Sequence, residues 1–131
     1  MRDYQNYSSI EQVRQSGCYL YCLIVGSGYS PLSIDSFYPP FLKKGLIQED
    51  CFILNPCRIL EDLTGQKYRV IKTKIYDPEA RLKIAQWHNP KTGYSHFVLM
   101  KNESEVLFDS LGDSKTVRDG FIESWRLFYL S

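Results

Sequence analysis

With 131 residues, 44% of them hydrophobic and 15% aromatic, the chain can close one core without metals or bridges, which excludes a disordered polymer. A formal net charge of +1, with Lys and Arg scattered among Asp and Glu, excludes the basic stripe that counterion-releasing nucleic-acid binding requires. Ten Tyr and seven Phe favour sheet.

The opening segment from Met1 to Tyr7 is polar and has no apolar core of a signal peptide, and no stretch reaches transmembrane length. The expectation is a single domain spanning residues 1–131, cytoplasmic and without membrane insertion. In that compartment Cys18, Cys22, Cys51 and Cys57 read as reduced thiols, and their spacing matches no common zinc pattern.

Ser8-Ser9-Ile10-Glu11 has the form of a capping box, so a short helical turn carrying Gln12 and Gln15 is expected, broken at Ser16-Gly17. Cys18 then opens an apolar run, Tyr-Leu-Tyr-Cys-Leu-Ile-Val, too short for a bilayer and suited to a core helix that stops at Gly26-Ser27-Gly28. At a helix N-terminus the unpaired N–H groups and the dipole stabilise a thiolate, so Cys18 reads as a nucleophile. Read alone, the same stretch also suits a strand in which Cys18 is one more small buried hydrophobe.

Tyr29-Ser30-Pro31 is a turn. Leu32, Ile34, Phe37, Phe41 and Leu42 have helical spacing, with Pro39-Pro40 expected to break or end the first part of that helix. Residues 51–54 read as a short apolar strand or connector. Asn55 as cap, Pro56 in the first turn, Ile59, Leu60 and Leu63 on one face and Gly65 as stop define a helix. Residues 67–75 read as a strand whose lysines face solvent or protect an edge, not a binding patch. After Tyr76-Asp77-Pro78 the chain changes to sheet. Strands are expected over 82–88, 95–100 and 105–109, joined by turns at Asn89–Gly93 and Lys101–Ser104, with a loop at 111–114 and a closing strand over 121–130.

In that meander His96 begins one strand and Asp109 ends the next, so the two are expected as cross-strand neighbours. Cys, His and Asp in this order supply a thiol to attack a carbonyl, an imidazole to carry the proton, and a carboxylate to fix the imidazole's tautomer. The oxyanion that forms needs donors, and the Cys18 N–H with the upstream amide of Gln12 can provide them. Gln15 is an alternative to Gln12, His88 an alternative base, and Asp113 an alternative to Asp109. Cys22, Cys51 and Cys57 read as core residues, and Trp87 and Trp125 as core or pocket wall.

The succession Gln12, Cys18, an apolar helix, then Ser-His96-Phe-Val-Leu-Met, then Val-Leu-Phe-Asp109, resembles the papain-like cysteine peptidases. Within them it is most similar to the small bacteriocin-leader-processing peptidases and their stand-alone relatives. The likeness runs from Gln12 to about Leu130, where Phe121-x-x-x-Trp125 and an apolar tail resemble the end of those domains. It implies an α+β papain-like fold, a central N-terminal helix packed on a C-terminal antiparallel sheet. It further implies a hydrolase of peptide or amide bonds that needs no cofactor, with a Cys18, His96 and Asp109 triad, and the family interval favours Gln12 as oxyanion donor. The implied partner is a peptide or protein substrate, a peptidoglycan peptide being one alternative. Tyr19, Ser95 and Ser110 depart from the Gly, Gly and Pro common at the matching positions. A silent domain that binds a peptide in the old cleft is the rival expectation, and it predicts an occluded Cys18.

Overall fold

The computed structural model describes residues 7–112 and 114–131; the polar N-terminal segment through Asn6 and the alternative acid Asp113 lie outside them. Among the described residues the chain is α+β. Helices α1 (Glu11–Ser16), α2 (Cys18–Gly26), α3 (Ile34–Lys43) and α4 (Pro56–Thr64) come first. Strands β1 (Tyr68–Thr73), β2 (Leu82–His88), β3 (Ser95–Met100), β4 (Val106–Phe108) and β5 (Phe121–Leu130) follow, with a short helix α5 (Lys115–Arg118) before the last. The strands form one antiparallel sheet in the order β1-β5-β2-β3-β4.

Helix α2 is apolar on nearly all sides because it is enclosed. Leu20, Tyr21, Cys22, Leu23 and Ile24 are buried, and they join Ile34, Ile59, Leu60, Ile84, Leu99 and Phe128 in the main core between helices and sheet. A second cluster is built from Ala85, Val98, Met100, Trp125 and Leu127, against which Trp87 packs. Trp125 is therefore a core residue, and Trp87 is partly buried against the same cluster.

The helix α4 forms as its residues dictate. The Asn55 Oδ1 accepts the Arg58 N–H at 3.1 Å, Pro56 occupies the first turn, and Gly65 closes the helix at φ 76°. Glycine takes this left-handed geometry without the Cβ penalty.

Two local expectations are corrected. The serines at 8 and 9 form no capping box: the N-cap of α1 is Ile10 without a side-chain bond, while both hydroxyls and the Ser9 N–H bind the Asp35 carboxylate on α3. The Ser8 hydroxyl instead accepts the Ile10 N–H at 3.0 Å, and Glu11 takes the Gln15 amide. Helix α3 also runs unbroken through Pro39 and Pro40. Both prolines lie on its exposed side, while Ile34, Tyr38 and Phe41 bury the opposite face.

Candidate active site

Cys18 is the first residue of α2, and Gly17, with φ −86° and ψ 6°, is the joint between α1 and α2. The joint is tight: a Cβ on Gly17 would stand 2.5 Å from the Val13 carbonyl oxygen. The first backbone bond into α2 runs from the Tyr21 N–H to the Gly17 carbonyl at 2.9 Å, so the Cys18 N–H has no acceptor within its own helix. Cys18 is partly exposed.

His96 is the second residue of β3, paired across the ladder with Trp87. Its Nε2 lies 2.6 Å from the Asp109 Oδ1, and both side chains are almost completely buried, 5% and 4% exposed. The Cys18 thiol lies close enough to the imidazole to help hold it protonated. With Nε2 given to the carboxylate, Nδ1 is the ring atom left for sulfur. Cys18, His96 and Asp109 thus come together at one site, with the imidazole bonded to the carboxylate and close to the thiol.

His96 and Asp109 are not register partners, contrary to the expectation from the meander. Strand β4 ends at Phe108, opposite Leu99, and Asp109 lies just beyond it, so its carboxylate reaches His96 along the sheet rather than straight across. The reach is fixed by groups that sequence reasoning missed. Asp109 Oδ1 accepts the Leu111 N–H at 2.9 Å, and Oδ2 accepts the Ser114 hydroxyl at 2.9 Å. An Asp two residues before an acceptor-seeking backbone N–H is the signal of an Asx turn, and Asp109-Ser-Leu-Gly carries it.

Electrostatics favour an ion pair. Burial works against the imidazolium, but the hydrogen bonds and charge of Asp109 and Cys18 outweigh it and hold the His96 pKa up at about 9. Burial likewise opposes the Asp109 carboxylate, yet His96, the Leu111 N–H and Ser114 keep its pKa below the usual range. At neutral pH the pair is imidazolium and carboxylate.

The alternatives separate on geometry. His88 pairs with Ser95, and its Nδ1 lies 3.1 Å from the Ser95 Oγ. Alternation along β3 directs Ser95 and His96 to opposite faces, so His88 is not interchangeable with His96. Gln15 is exposed and its amide donates to Glu11 at 2.5 Å. Gln12 is exposed too, but it lies one turn before Ser16 on the same face of α1, and Ser16 borders the cavity at Cys18. Gln12 itself is not among that cavity's lining residues. Cys22 is fully enclosed, its thiol pKa pushed up by burial. Cys51 is buried beside the cavity at φ 71°, with burial pushing its pKa up to about 12. Cys57 is half-buried, and burial raises its pKa as well.

Beside Cys18 opens a cavity of about 560 Å³ between the sheet and the 50–53 turn. Its walls include Tyr19, whose ring stacks on Phe97 with centroids 4.6 Å apart, and Lys72 and Arg126. Strand β1 is an edge strand and Lys72 is exposed, as expected of its lysines, while alternation also puts Val70 and Lys72 on the cavity side. Among the described residues no cluster of three or more His, Cys, Asp or Glu side chains could hold a metal, and no helix is long and apolar enough to cross a membrane.

Comparison with curated proteins and with solved structures gave no match. Residues 1–130 match the family described as "Protein of unknown function, DUF261", and over that span the chain belongs to it.

Proposed function

We propose that this chain is a thiol-dependent hydrolase of peptide or amide bonds with a papain-like arrangement. The observation that carries the reading is the convergence of Cys18, His96 and Asp109, with 2.6 Å between imidazole and carboxylate and the thiol beside the ring. An imidazolium beside a thiol at a helix N-terminus stabilises the thiolate. Sulfur attacks the carbonyl carbon, forming C–S as the carbonyl π electrons move onto oxygen. The Cys18 N–H and the Gln12 amide are the proposed donors to that oxyanion. Collapse breaks the C–N bond while His96 protonates the departing amine. Water then adds to the thioester, His96 takes its proton, and C–S cleavage releases the acid and restores the thiolate beside the imidazolium. Asp109 keeps the ring oriented and offsets its charge throughout. No cofactor enters these steps, and the substrate is a peptide or protein, with a peptidoglycan peptide as an alternative.

The test is alkylation of the native protein at pH 5.5–6, read by intact mass, for wild type, Cys18→Ser and His96→Ala. Ordinary thiols are protonated there and slow, and burial makes the other three cysteines slower still. Single fast labelling, abolished by Cys18→Ser and slowed about tenfold or more in His96→Ala, is the expected result. The rival is a silent domain that only binds a peptide in the groove, and the partial exposure of Cys18 on an open cavity counts against the occlusion that it predicts. Labelling no faster than that of a free thiol would select it.

A further inference from the structure

Lys72 and Arg126 are register partners on β1 and β5, and both line the cavity that begins at Cys18. Like charges directly opposite one another destabilise a sheet, so a neutralising carboxylate is expected nearby. None among the described residues is paired with them: Asp62 serves Lys44 and Arg58, and Asp109 serves His96. Arg126 is instead held by neutral groups. Its Nη1 donates to the Ser124 Oγ at 2.8 Å, its Nη2 to the Gln86 Oε1 at 3.4 Å, and its guanidinium lies 5.2 Å from the Phe97 ring centroid. These contacts fix the fork's direction and leave its charge uncompensated. The groove's acid, Asp50, accepts the Phe52 N–H at its Oδ1, and Glu123 acts on Arg126 by its charge without an ion pair between them. Two cations therefore face one carboxylate across an otherwise apolar cleft.

We propose that Lys72 and Arg126 form an anion-recognising subsite, so that the peptides held in this groove carry a carboxylate beside the bond presented to Cys18. This rests on the groove being a peptide site, as argued above. A positioned guanidinium takes a carboxylate through its remaining N–H donors, and Lys72 adds a mobile charge. The carboxylate can belong to an acidic side chain or to a free C-terminus, and the chemistry of recognition is the same.

The experiment measures binding without requiring catalysis. Cys18→Ser protein is titrated into fluorescent hexapeptide pools that differ only in Glu or Gln at each position, each pool with a free or an amidated C-terminus. The expected result is tighter binding of the carboxylate pools by roughly 5- to 20-fold, weakening with salt. The preference should vanish in Lys72→Gln and in Arg126→Gln and persist in Lys72→Arg. Lys72 is exposed, so its replacement leaves the core intact even where Arg126→Gln disturbs folding. Loss of preference in the glutamine pools alone assigns a side chain, and loss in the amidated pools alone assigns a C-terminus. Equal binding of all pools, or binding of none, overturns the proposal. Wild-type hydrolysis of the same pools judges the hydrolase reading separately.

Discussion

Ser114 serves two neighbours with one hydroxyl: it donates to the Asp109 Oδ2 at 2.9 Å and accepts the Val117 N–H at 3.4 Å as the cap of α5. Its contribution to chemistry runs through Asp109, which makes it a positioning residue. In Ser114→Ala the carboxylate keeps His96 and the Leu111 N–H but loses its third anchor. Alkylation of Cys18 near pH 6 should slow roughly 3- to 10-fold, a cost of about 1 kcal/mol in orientation. The lost cap costs about 1 kcal/mol of stability as well. A merely structural role would show only the second effect. The readout that separates them is the pH at which His96 titrates, followed by NMR, which should fall in Ser114→Ala because the carboxylate is less firmly held against the ring. An unchanged His96 titration would reduce Ser114 to a helix cap.

At the scale of elements, the decisive joint is Gly17. Helices α1 and α2 meet there so closely that any Cβ would meet the Val13 carbonyl. Backbone cannot yield as a flexible side-chain end can, so Gly17→Ala must move one helix against the other. A cost of about 1–3 kcal/mol is expected from this overpacking, measured by urea denaturation, with a loss of Cys18 labelling even under conditions where the variant is fully folded. The joint is legible in the sequence as a glycine break before an apolar run, and so are Asn55, Pro56 and Gly65 around α4, because caps and stops are local chemistry. The prolines of α3 and the serines before α1 depart from their local signals for one common reason. Their outcome depends on partners outside the local pattern, the buried face of Ile34, Tyr38 and Phe41 in one case and Asp35 in the other. Cys18, His96 and Asp109 stand out by type and order, whereas Ser114, Lys72 and Arg126 acquire meaning only once the sheet is assembled, since strand partners cannot be read from spacing alone.

For the whole molecule, the buried pair of His96 and Asp109 couples the site to the stability of the fold. The ion pair lies where helical layer and sheet end meet, and water cannot screen it. His96 is raised to about 9 in the folded chain from an ordinary 6.5. The native state thus binds its proton more tightly than the unfolded chain, and the resulting stabilisation is complete below about 6.5 and lost as pH rises through about 9. Asp109 is shifted the other way, so its contribution is present above the usual carboxylate range and lost as pH falls through its lowered value. Both contributions are therefore in place at mildly acidic to neutral pH. Denaturant midpoints of wild type and Asp109→Asn, compared at pH 5.5, 7.5 and 10, isolate the pair from the other titrating groups. Wild type should exceed the variant by on the order of 2–3 kcal/mol at pH 5.5, with the gap narrowing by pH 10 because wild type loses an imidazolium that the variant's neutral amide does not support. A gap that stays constant across this range would mean that Asp109 holds His96 by shape and neutral hydrogen bonding alone, and that His96 stands next to Cys18 as a neutral ring.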